Sequence, residues 1–414
     1  EYYIPRMQTR RIAVIGAGAA GSMAAIFAAT AGAETLLLER TPDGGRKILI
    51  SGGGRCNILP ARVDESRFVT DSSPHTLRNM VRSWPLAEQV AFFERDLGVP
   101  LAEESDTAKL FPASNRARDV RDGLLALAAR RGVQLLSRTR VTGIAPAAGG
   151  WRVEREGAGP LDVDAVVVAT GGLSVPTTGS DGAGLQMLTA LGHAMHPTYA
   201  ALTPVVAEPP VFGALSGISL PVAVTASDGR RSATSRGGLL FTHRGYSGPS
   251  VLDVSHVLVR ARAEHEPGAT LRVRWSDLDE RAWEDALRPE GTRTVAGALR
   301  RVMPDRLAEA LLDLAGIPAT RTLAQLRRPE RHRLVETLVR GELPWSGDEG
   351  YRKAEVTGGG VSLAEVDPRT LRSRRHPGLH ICGEALDAFG PIGGYNFLWA
   401  WATGRAAGKG AAEA

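Results

Sequence analysis

The 414-residue sequence predicts an α/β fold in which a domain built on a parallel sheet is interrupted by a β-rich insertion and a small helical subdomain. Three observations support this prediction. The chain opens with a strand, a glycine-rich turn and a helix; its middle alternates apolar and polar residues; and leucines at helical spacing follow before glycine-rich segments return. We place the first domain at residues 9–195 and 345–414, the insertion at 196–275 and the helical subdomain at 276–344.

The first elements are a short apolar strand at 12–15, a turn with the sequence GAGAAG at 16–21, and an alanine-rich helix that ends near Thr30. A second apolar strand at 35–38 is followed by Glu39. This order, with an acid about twenty residues after the turn, matches the fingerprint of dinucleotide-binding, Rossmann-like domains. The opening of the chain therefore predicts a nucleotide site.

Each residue of this fingerprint has a physical role. Gly16 and Gly18 let the backbone approach a pyrophosphate, which the unpaired N–H groups and the dipole of a helix N-terminus attract. Gly21 lets the helix pack closely on the strand. Glu39 would accept hydrogen bonds from ribose hydroxyls, which argues against a 2′-phosphate at this position.

A second glycine-rich segment, GGRKILISGGGRCN at 44–57, comes soon after this acid. Three consecutive glycines can form a nest of backbone N–H groups that binds an anion. Arg46, Lys47 and Arg55 add positive charge, which suits a pyrophosphate or a reduced flavin. The alternative is a flexible surface loop with solvated arginines, but the position just after Glu39 favours a binding function.

The pattern of apolar and polar residues changes in the middle of the chain. An apolar strand at 161–169 is followed by Thr170 and two glycines. Between residues 198 and 275, short alternating runs such as 221–225 and 270–274 are separated by Gly, Pro, Ser and Asp, as in a mainly β segment.

Helical spacing follows from residue 276 to about 339. One helix shows it through four leucines: Leu307, Leu311, Leu312 and Leu314. A last strand at 379–382 and a last helix at 396–407 complete the first domain.

Composition narrows the function classes. Hydrophobic residues make up 43% and charged residues 23% of the chain, as in ordinary globular proteins. Two cysteines exclude a disulfide scaffold and fit a reducing compartment. No apolar stretch approaches about 18 residues and no apolar signal segment precedes Arg11, so we expect a cytoplasmic protein without a membrane span.

The charge balance is weak evidence for a nucleic-acid partner. The net charge is +5, but lysine accounts for only four of the 50 Lys and Arg residues. Such an arginine excess, with abundant alanine and glycine, is typical of a GC-rich genome. Aromatic residues, at 5%, are also sparse for a stacking platform that binds single strands.

Five longer motifs occur in order along nearly the whole chain: GRKILISGGGRCN at 45–57, LFTHRGYSGP at 240–249, EVTGGGV at 355–361, GLHICGEALD at 378–387 and GGYNFLWAW at 393–401. Through them the chain resembles the bacterial NAD(P)/FAD-dependent oxidoreductase family of BaiN-like flavoproteins, which includes proteins named aminoacetone oxidase-like. The resemblance implies an FAD-binding, Rossmann-like domain of the glutathione-reductase type, split by the β-rich insertion and the helical subdomain.

The resemblance also implies which residues bind FAD. The pyrophosphate would face the first turn, namely Gly16, Gly18, Ala19, Ala20 and Gly21, and the ribose would face Glu39. The second glycine segment contributes Arg46, Lys47, Ser51, Gly53, Arg55, Cys56 and Asn57. The backbone of Val141 would contact the adenine, and the dinucleotide would pass Thr170 and Gly171.

Two acids near the end of the chain compete for the ribityl chain of FAD. Glu384, which follows Gly383, and Asp387 both come after the last strand, and the resemblance leaves open which one reaches it. The last helix would begin with Gly393, Gly394 and Asn396. Its positive end would face the pyrimidine edge of the flavin and stabilise negative charge there on reduction.

Candidates for acid–base catalysis are few, because a flavin carries the hydride chemistry itself. His243 and Tyr246, in the motif at 240–249, could protonate a carbon or polarise a carbonyl. The alternative, which the glycines and proline of the motif favour, is that this loop only turns the chain.

Other reactive residue types have simpler interpretations. His193 and His196 have a ligand-like spacing but no accompanying cluster, so no metal site is predicted. Cys56 and Cys382 are far apart in sequence and are predicted to pack in the core.

Three functions follow from these observations. The first is a two-electron FAD oxidoreductase acting on an unidentified small molecule, either by reducing an activated C=C bond with NADH or NADPH or by oxidising a small amine. No second clear glycine fingerprint marks a site for NADH or NADPH, so the electron donor stays open, as does the oligomeric state.

The second function, which the family also implies, is reduction of uridine to dihydrouridine in ribosomal RNA. The arginines at 327–333 offer phosphate contacts for that substrate, and the alternative for them is a solvated charged face. The third and least favoured is an FAD-binding protein without turnover.

Overall fold

The computed structural model describes residues 9–413. The prediction that no signal segment precedes Arg11 concerns residues that lie mostly outside this range. The chain forms two compact units. Of the described residues, one unit holds 9–198 and 356–413, and the other is formed by residues 199–355. The domain boundaries drawn from the sequence remain predictions.

Within residues 9–413 the strands are β1 (Arg11–Ile15), β2 (Glu34–Leu38), β3 (Leu59–Pro60), β4 (Leu101–Glu104), β5 (Lys109–Pro112), β6 (Gln134–Leu136), β7 (Val141–Ala147), β8 (Gly150–Arg155), β9 (Ala158–Val163), β10 (Ala165–Val168), β11 (Met195–Ala201), β12 (Val205–Val206), β13 (Ser219–Ser227), β14 (Ser232–Phe241), β15 (Gly245–Ser247), β16 (Thr270–Arg274), β17 (Gly341–Glu342), β18 (Gly347–Asp348), β19 (Val356–Val361) and β20 (Leu379–Ile381).

The α-helices of the same residues are α1 (Ala19–Thr30), α2 (Arg46–Ile50), α3 (Pro74–Arg82), α4 (Leu86–Ala91), α5 (Ala117–Arg130), α6 (Ala183–Ala190), α7 (Pro249–Ala263), α8 (Glu280–Ala286), α9 (Val295–Leu299), α10 (Asp305–Ala315), α11 (Arg328–Arg340) and α12 (Tyr395–Glu413).

The first unit is built on a five-stranded parallel sheet with the order β20-β10-β1-β2-β6. Strand β1 lies at its centre, with Ile15 paired to Leu38 of β2 and to Val168 of β10. All four residues of β10 are buried, which is why this strand is continuously apolar. The Rossmann-like fold predicted from the sequence is confirmed.

Helices α1 and α12 pack against each other through small residues. A Cβ atom on Gly404 would lie 2.3 Å from the carbonyl oxygen of Ala20, and one on Gly408 would lie 2.2 Å from that of Ala24. No side chain fits at these two glycines, so α12 approaches the backbone of α1 directly. This contact fixes the helix whose N-terminus forms the glycine turn.

The strand expected at 161–169 is in fact two strands with different partners. Strand β9 pairs antiparallel with β8 in a small separate sheet, whereas β10 pairs in parallel with β1. Between them the carboxylate of Asp164 accepts a hydrogen bond from the N–H of Arg11 (2.6 Å). The sequence prediction missed the break because the alternating end of β9, with Leu161 and Val163, runs directly into the apolar residues of β10.

The second unit contains a seven-stranded sheet with the order β17-β16-β13-β14-β15-β12-β18. Helix α7 packs on β13 and β14, although the sequence predicted a mainly β segment there. Val251, Val254, Val257 and Leu258 of α7 are buried at spacings of three and four residues. Because valine favours strands, these residues were interpreted as part of a β segment although their spacing is that of a helix.

The helices predicted after residue 276 form and share one hydrophobic core with these strands. Leu307, Leu311 and Leu312 of α10 are buried as expected. Leu314 is 55% exposed and does not belong to that core.

A search of the described residues finds no helix that combines the length and the apolar character needed to cross a bilayer.

Candidate functional site

The candidate site lies at the carboxyl ends of the parallel strands. The chain runs from β1 to β2 on one side of the sheet, and β10 later adds on the other side. Ligands of open α/β sheets bind where the strand order reverses in this way. Here that point brings together the turn after β1, Glu39 after β2, Ser174 after β10 and Glu384 after β20.

The turn after β1 adopts the conformation that its glycines were predicted to allow. Gly16 has φ +100° and donates its N–H to the carbonyl of Leu38 (2.8 Å). A Cβ on Gly21 would lie 1.8 Å from the carbonyl oxygen of Gly16, so this position admits no side chain. A Cβ on Gly18, in contrast, would meet no atom within 4 Å and would face open space.

The N-terminus of α1 presents unsatisfied donors to that open space. Gly18 caps the helix without a side-chain hydrogen bond, and no acidic residue occurs in the first turn. Among the described residues, no acceptor bonds the N–H groups of Gly18, Ala19, Ala20 or Gly21. A diphosphate would satisfy these donors and the positive end of the helix dipole.

Glu39 is buried beside this turn and holds it in place. Its Oε2 accepts the N–H of Ala17 (2.9 Å), and its Oε1 accepts the N–H of Thr41 (2.7 Å). Each carboxylate oxygen has a second lone pair for a ribose hydroxyl. The hydroxyl of Thr41 is buried without a partner in residues 9–413, which adds a polar group that the sequence analysis missed.

The second glycine segment joins the first turn. Gly45 donates its N–H to the carbonyl of Ala17 (2.8 Å), and the next residues form helix α2, which was not predicted. Gly52 and Gly53 then have φ +55° and +68°, and Cys56 has φ +61°. The N–H groups of Arg55 and Cys56 donate to the carbonyls of Gly52 (3.4 Å) and Ser51 (3.1 Å), so the anion-binding nest expected here stays a prediction.

The charged residues of this segment are paired rather than free. Arg46 bonds Asp43 (2.9 Å). Arg55 bonds Glu104 (3.0 Å) and lies over the ring of Phe111 (4.2 Å). The interpretation that both arginines face an anionic cofactor therefore stays a prediction.

Two polar residues of the segment also bond within the protein. The hydroxyl of Ser51 donates to the carbonyl of Ile48 (2.7 Å). With its amide oriented to satisfy both atoms, Asn57 donates to the carbonyl of Leu59 (3.2 Å) and accepts the N–H of Gly394 (3.0 Å). Asn57 thus ties the second glycine segment to the start of α12.

Lys47, Glu384 and Ser174 form a compact polar cluster. Lys47 Nζ lies 2.6 Å from Glu384 Oε2 and 2.5 Å from Ser174 Oγ, and Ser174 Oγ donates to Glu384 Oε1 (2.5 Å). The backbone N–H of Thr357 also donates to Glu384 Oε1 (3.0 Å). Ser174 is fully buried and had no sequence signal, because it follows β10 in an irregular segment.

Asp387 is buried and organises a different part of the site. Its Oδ2 accepts the hydroxyl of Thr70 (2.9 Å), the N–H groups of Asp71 (2.9 Å) and Ser72 (2.8 Å), and the hydroxyl of Ser72 (2.8 Å). Nε2 of His196 lies 3.2 Å from Ser72 Oγ. His196, on strand β11, is therefore part of a hydrogen-bonded cluster.

The start of α12 brings its glycines close to the backbone. A Cβ on Gly394 would lie 2.4 Å from the carbonyl carbon of Leu59. The side chain of Asn396 pairs with one residue: its Nδ2 donates to the carbonyl of Gly390 and its Oδ1 accepts the N–H of Gly390, each at 2.9 Å. These bonds give Asn396 a structural role that the sequence analysis did not foresee.

The remaining predicted nucleotide residues occupy the first unit. Val141 is buried at the start of β7, and Gly171 follows β10 with φ +74°. Thr170 packs against α6, because a Cβ on Gly184 would lie 1.9 Å from its Oγ1. Gly383 has φ +73° and approaches Ala20 of α1.

The two cysteines are free and buried. Burial raises the pKa of the Cys56 thiol to about 12 and raises the pKa of Cys382 as well. Both stay protonated at neutral pH, so neither is a thiolate nucleophile. Among the described residues no group of three or more His, Cys, Asp and Glu side chains is arranged to hold a metal ion.

The two catalytic candidates of the second unit differ in exposure. Tyr246 is fully buried in an aromatic cluster, and burial raises the pKa of its phenol. His243 is exposed in the preceding turn. A buried, protonated tyrosine cannot exchange protons with solvent readily, so the structure adds no support for Tyr246 as a catalytic acid.

Comparison with known proteins identifies the family. The family model for the HI0933-like protein Rossmann domain matches residues 10–410. The chain belongs to the HI0933-like family. This is a family of FAD-dependent oxidoreductases, so the chain is an enzyme of that class, and the family predicted from the sequence is confirmed.

Two relatives of this HI0933-like chain match over nearly their full length. Ribosomal RNA dihydrouridine synthase of Escherichia coli K12 is 32% identical over 403 residues, which cover 94% of this chain and 95% of the relative. The 3-dehydro-bile acid delta(4,6)-reductase of Clostridium scindens is 32% identical over 413 residues, which cover 97% of this chain and 99% of the relative.

A solved structure supports the fold alone. The 3-ketosteroid-delta4-(5alpha)-dehydrogenase from Rhodococcus jostii RHA1 aligns over 99% of both chains with a TM-score of 0.50 and 17% identity.

The residues present fit FAD as the cofactor. The free N–H groups of 18–21, the open space at Gly18, the carboxylate of Glu39 and the unpartnered hydroxyl of Thr41 form a cradle for an adenosine diphosphate moiety. The second glycine segment and the Lys47–Glu384 pair lie near the same turn, because Gly45 bonds Ala17 and Gly383 packs on Ala20.

Proposed function

We propose that this HI0933-like enzyme reduces an activated C=C bond of an unidentified organic molecule, with FAD as cofactor and NADH or NADPH as electron donor. One observation supports this more than any other. The E. coli and C. scindens relatives match nearly end to end, and both names denote saturation of a C=C bond: the 5,6 bond of uridine and a double bond of a bile acid.

In this proposal the first unit binds and orients the cofactor. The N–H groups of 18–21 hold the diphosphate, and Glu39 and Thr41 hold the ribose of the adenosine half. FAD, when bound, supplies the hydride transfer, and the protein supplies position and electrostatics. Glu384 and Asp387 are the two candidates for binding the ribityl chain, and Glu384 has the more accessible carboxylate.

Lys47 is the residue that the geometry favours as the proton donor. Saturating a C=C bond requires a hydride on one carbon and a proton on the other. Lys47 Nζ uses two of its three N–H bonds for Glu384 and Ser174 and keeps the third for a ligand. Glu384 and Ser174 together fix the position of the ammonium group.

The experiment that tests this function is anaerobic reduction of the bound flavin, followed by absorbance. NADH, NADPH, benzylamine and buffer are compared as donors. We expect rapid bleaching with one pyridine nucleotide and reoxidation on adding an α,β-unsaturated ketone. Reduction by benzylamine but by neither nucleotide would overturn the proposal in favour of amine oxidation.

RNA is the second candidate substrate, favoured by one structural observation. Arg327, Arg328 and Arg331, at the start of α11, form no ion pair with any residue in 9–413 and can contact phosphates. The E. coli relative is named as acting on ribosomal RNA. The arginine-rich composition of the chain weakens this observation, because unpaired arginines are expected by chance.

Filter binding separates the two substrates. We expect ribosomal RNA fragments to bind weakly and no tighter than a length-matched random RNA. Tight retention that falls steeply with salt, together with formation of dihydrouridine from NADPH, would make RNA the substrate.

A further inference from the structure

The second unit contains a pocket that the proposed function does not use. Its volume is about 290 Å³, and it is bounded by α10, α11 and β17. Phe212, Trp275, Leu311 and Leu314 provide its apolar wall. Leu314 is 55% exposed, so the pocket opens to the surface on that side.

A buried hydrogen-bond donor without a partner lines this pocket. Trp275 is 1% exposed, and its indole N–H has no acceptor among the described residues. The group lies beside Gly341, another lining residue, since a Cβ there would be 3.0 Å from Nε1. Burial of an unbonded N–H is unfavourable, so a native structure that retains one calls for an explanation.

The aromatic wall contains a second group of this kind. Phe212 packs edge-on against Trp275, with ring centroids 6.4 Å apart, and against Tyr246 at 6.3 Å. The hydroxyl of Tyr246 is buried and also has no partner in residues 9–413. Two unsatisfied donors thus flank one ring of the pocket wall.

The charged residues at the rim leave a net negative charge, because one arginine pairs with two carboxylates and Glu342, also at the rim, forms no ion pair within residues 9–413. Arg340 lies 2.5 Å from Glu336 and 2.9 Å from Glu280. With its charge shared between two carboxylates, this arginine does not favour an anion in the pocket. The rim therefore disfavours an anion, and the apolar wall favours an uncharged ring system.

We infer that this pocket is a binding site for a neutral, planar, largely apolar molecule of about two fused rings that carries one hydrogen-bond acceptor. The acceptor would bond the indole N–H of Trp275, and the rings would pack on Phe212, Leu311 and Leu314. The size follows from the volume, which lies just below the range of about 300–1,000 Å³ for pockets that bury drug-sized ligands.

Titration with two matched probes tests this inference on the full-length protein. Isoquinoline has a ring-nitrogen acceptor, and indole, of similar size and shape, has none. The indole N–H signals of ¹⁵N-tryptophan-labelled protein report binding, and Trp275→Phe identifies the signal of Trp275. We expect isoquinoline to shift that signal downfield with saturation, and to bind at least about tenfold tighter than indole, the size expected for one hydrogen bond.

Two exposed positions give matched variants that leave the core intact. Leu314→Asn, on the pocket rim, should weaken isoquinoline binding at least threefold, whereas Val302→Asn, which is 43% exposed but not in the pocket, should leave it unchanged. Equal affinities for the two probes, or no shift of the Trp275 signal, would overturn the inference and indicate a buried water on Nε1. Neither result bears on the flavin site, whose residues are untouched.

Discussion

At the residue scale, the site is held by buried polar groups whose partners are mostly backbone N–H groups. Glu39 fixes the first turn through Ala17 and Thr41, and Asp387 fixes residues 70–72 in the same way. The sequence identified both acids but assigned them to the cofactor only. Side chain-to-backbone bonds leave no sequence signal, so this structural role was not predictable.

Asn396 gives a test of one such role. Replacing it with leucine leaves the N–H and the carbonyl of the buried residue Gly390 without their hydrogen-bond partners. Each unsatisfied group costs about 1–3 kcal/mol. We expect Asn396→Leu to lower the free energy of unfolding of the first unit by about 2–5 kcal/mol in urea denaturation. Unchanged stability with a lowered flavin midpoint potential would instead show that Asn396 acts on the flavin.

His380 predicts how stability changes with pH. This residue of β20 is fully buried, and burial lowers its pKa to about 4, from an ordinary value of about 6.5. Between these two values the unfolded chain binds the proton and the folded chain does not, so stability is full above pH 6.5 and falls as the pH drops toward 4. The slope from this residue reaches up to about 1.4 kcal/mol per pH unit.

Denaturation measured between pH 4 and pH 7 checks this prediction. His380→Gln should flatten the slope, whereas His75→Gln, at an exposed position of the same unit, should not change it. An equal slope in the His380 variant and in the unmodified chain would contradict the assignment.

At the element scale, the contact between α1 and α12 determines where the glycine turn sits. The sequence predicted both helices, and it predicted the three glycines of the turn from their spacing. It did not predict that Gly404 and Gly408 bring the helices into backbone contact. The sequence alone does not distinguish a helical glycine that is exposed from one that packs against another helix. Helix α7 was missed for a related reason, since its buried face is made of valines.

Gly408→Leu tests this contact. Its Cβ would lie 2.2 Å from the carbonyl oxygen of Ala24, and a backbone atom cannot move aside, so α1 and α12 must separate. We expect a loss of at least about 3 kcal/mol in the free energy of unfolding and weaker FAD binding by isothermal titration. Lys409→Ala, one residue further along and exposed, is the control and should change neither. Normal FAD affinity in a destabilised Gly408→Leu protein would contradict the claim that the contact between α1 and α12 positions the FAD site.

At the scale of the whole molecule, the chain divides into a unit that carries the nucleotide fingerprint and a unit with its own core and its own pocket. The nucleotide-binding fold followed from the sequence because strand, glycine turn and acid have a fixed spacing, and the family followed from five longer motifs along the chain. The Ser174 cluster and the Trp275 pocket did not, because they bring together residues far apart in the chain.

The central claim is that the turn at 16–21 binds FAD, and analysis of the cofactor tests it most directly. Denaturation of the purified protein and chromatography of the released flavin should give FAD. Gly18→Val should fold, because its Cβ meets no atom within 4 Å, yet bind no FAD, because the side chain occupies the diphosphate position. Gly159→Val, at an equally open glycine outside the site, should retain FAD. Release of FMN, a colourless protein that does not take up added FAD, or normal FAD binding by Gly18→Val would contradict the account.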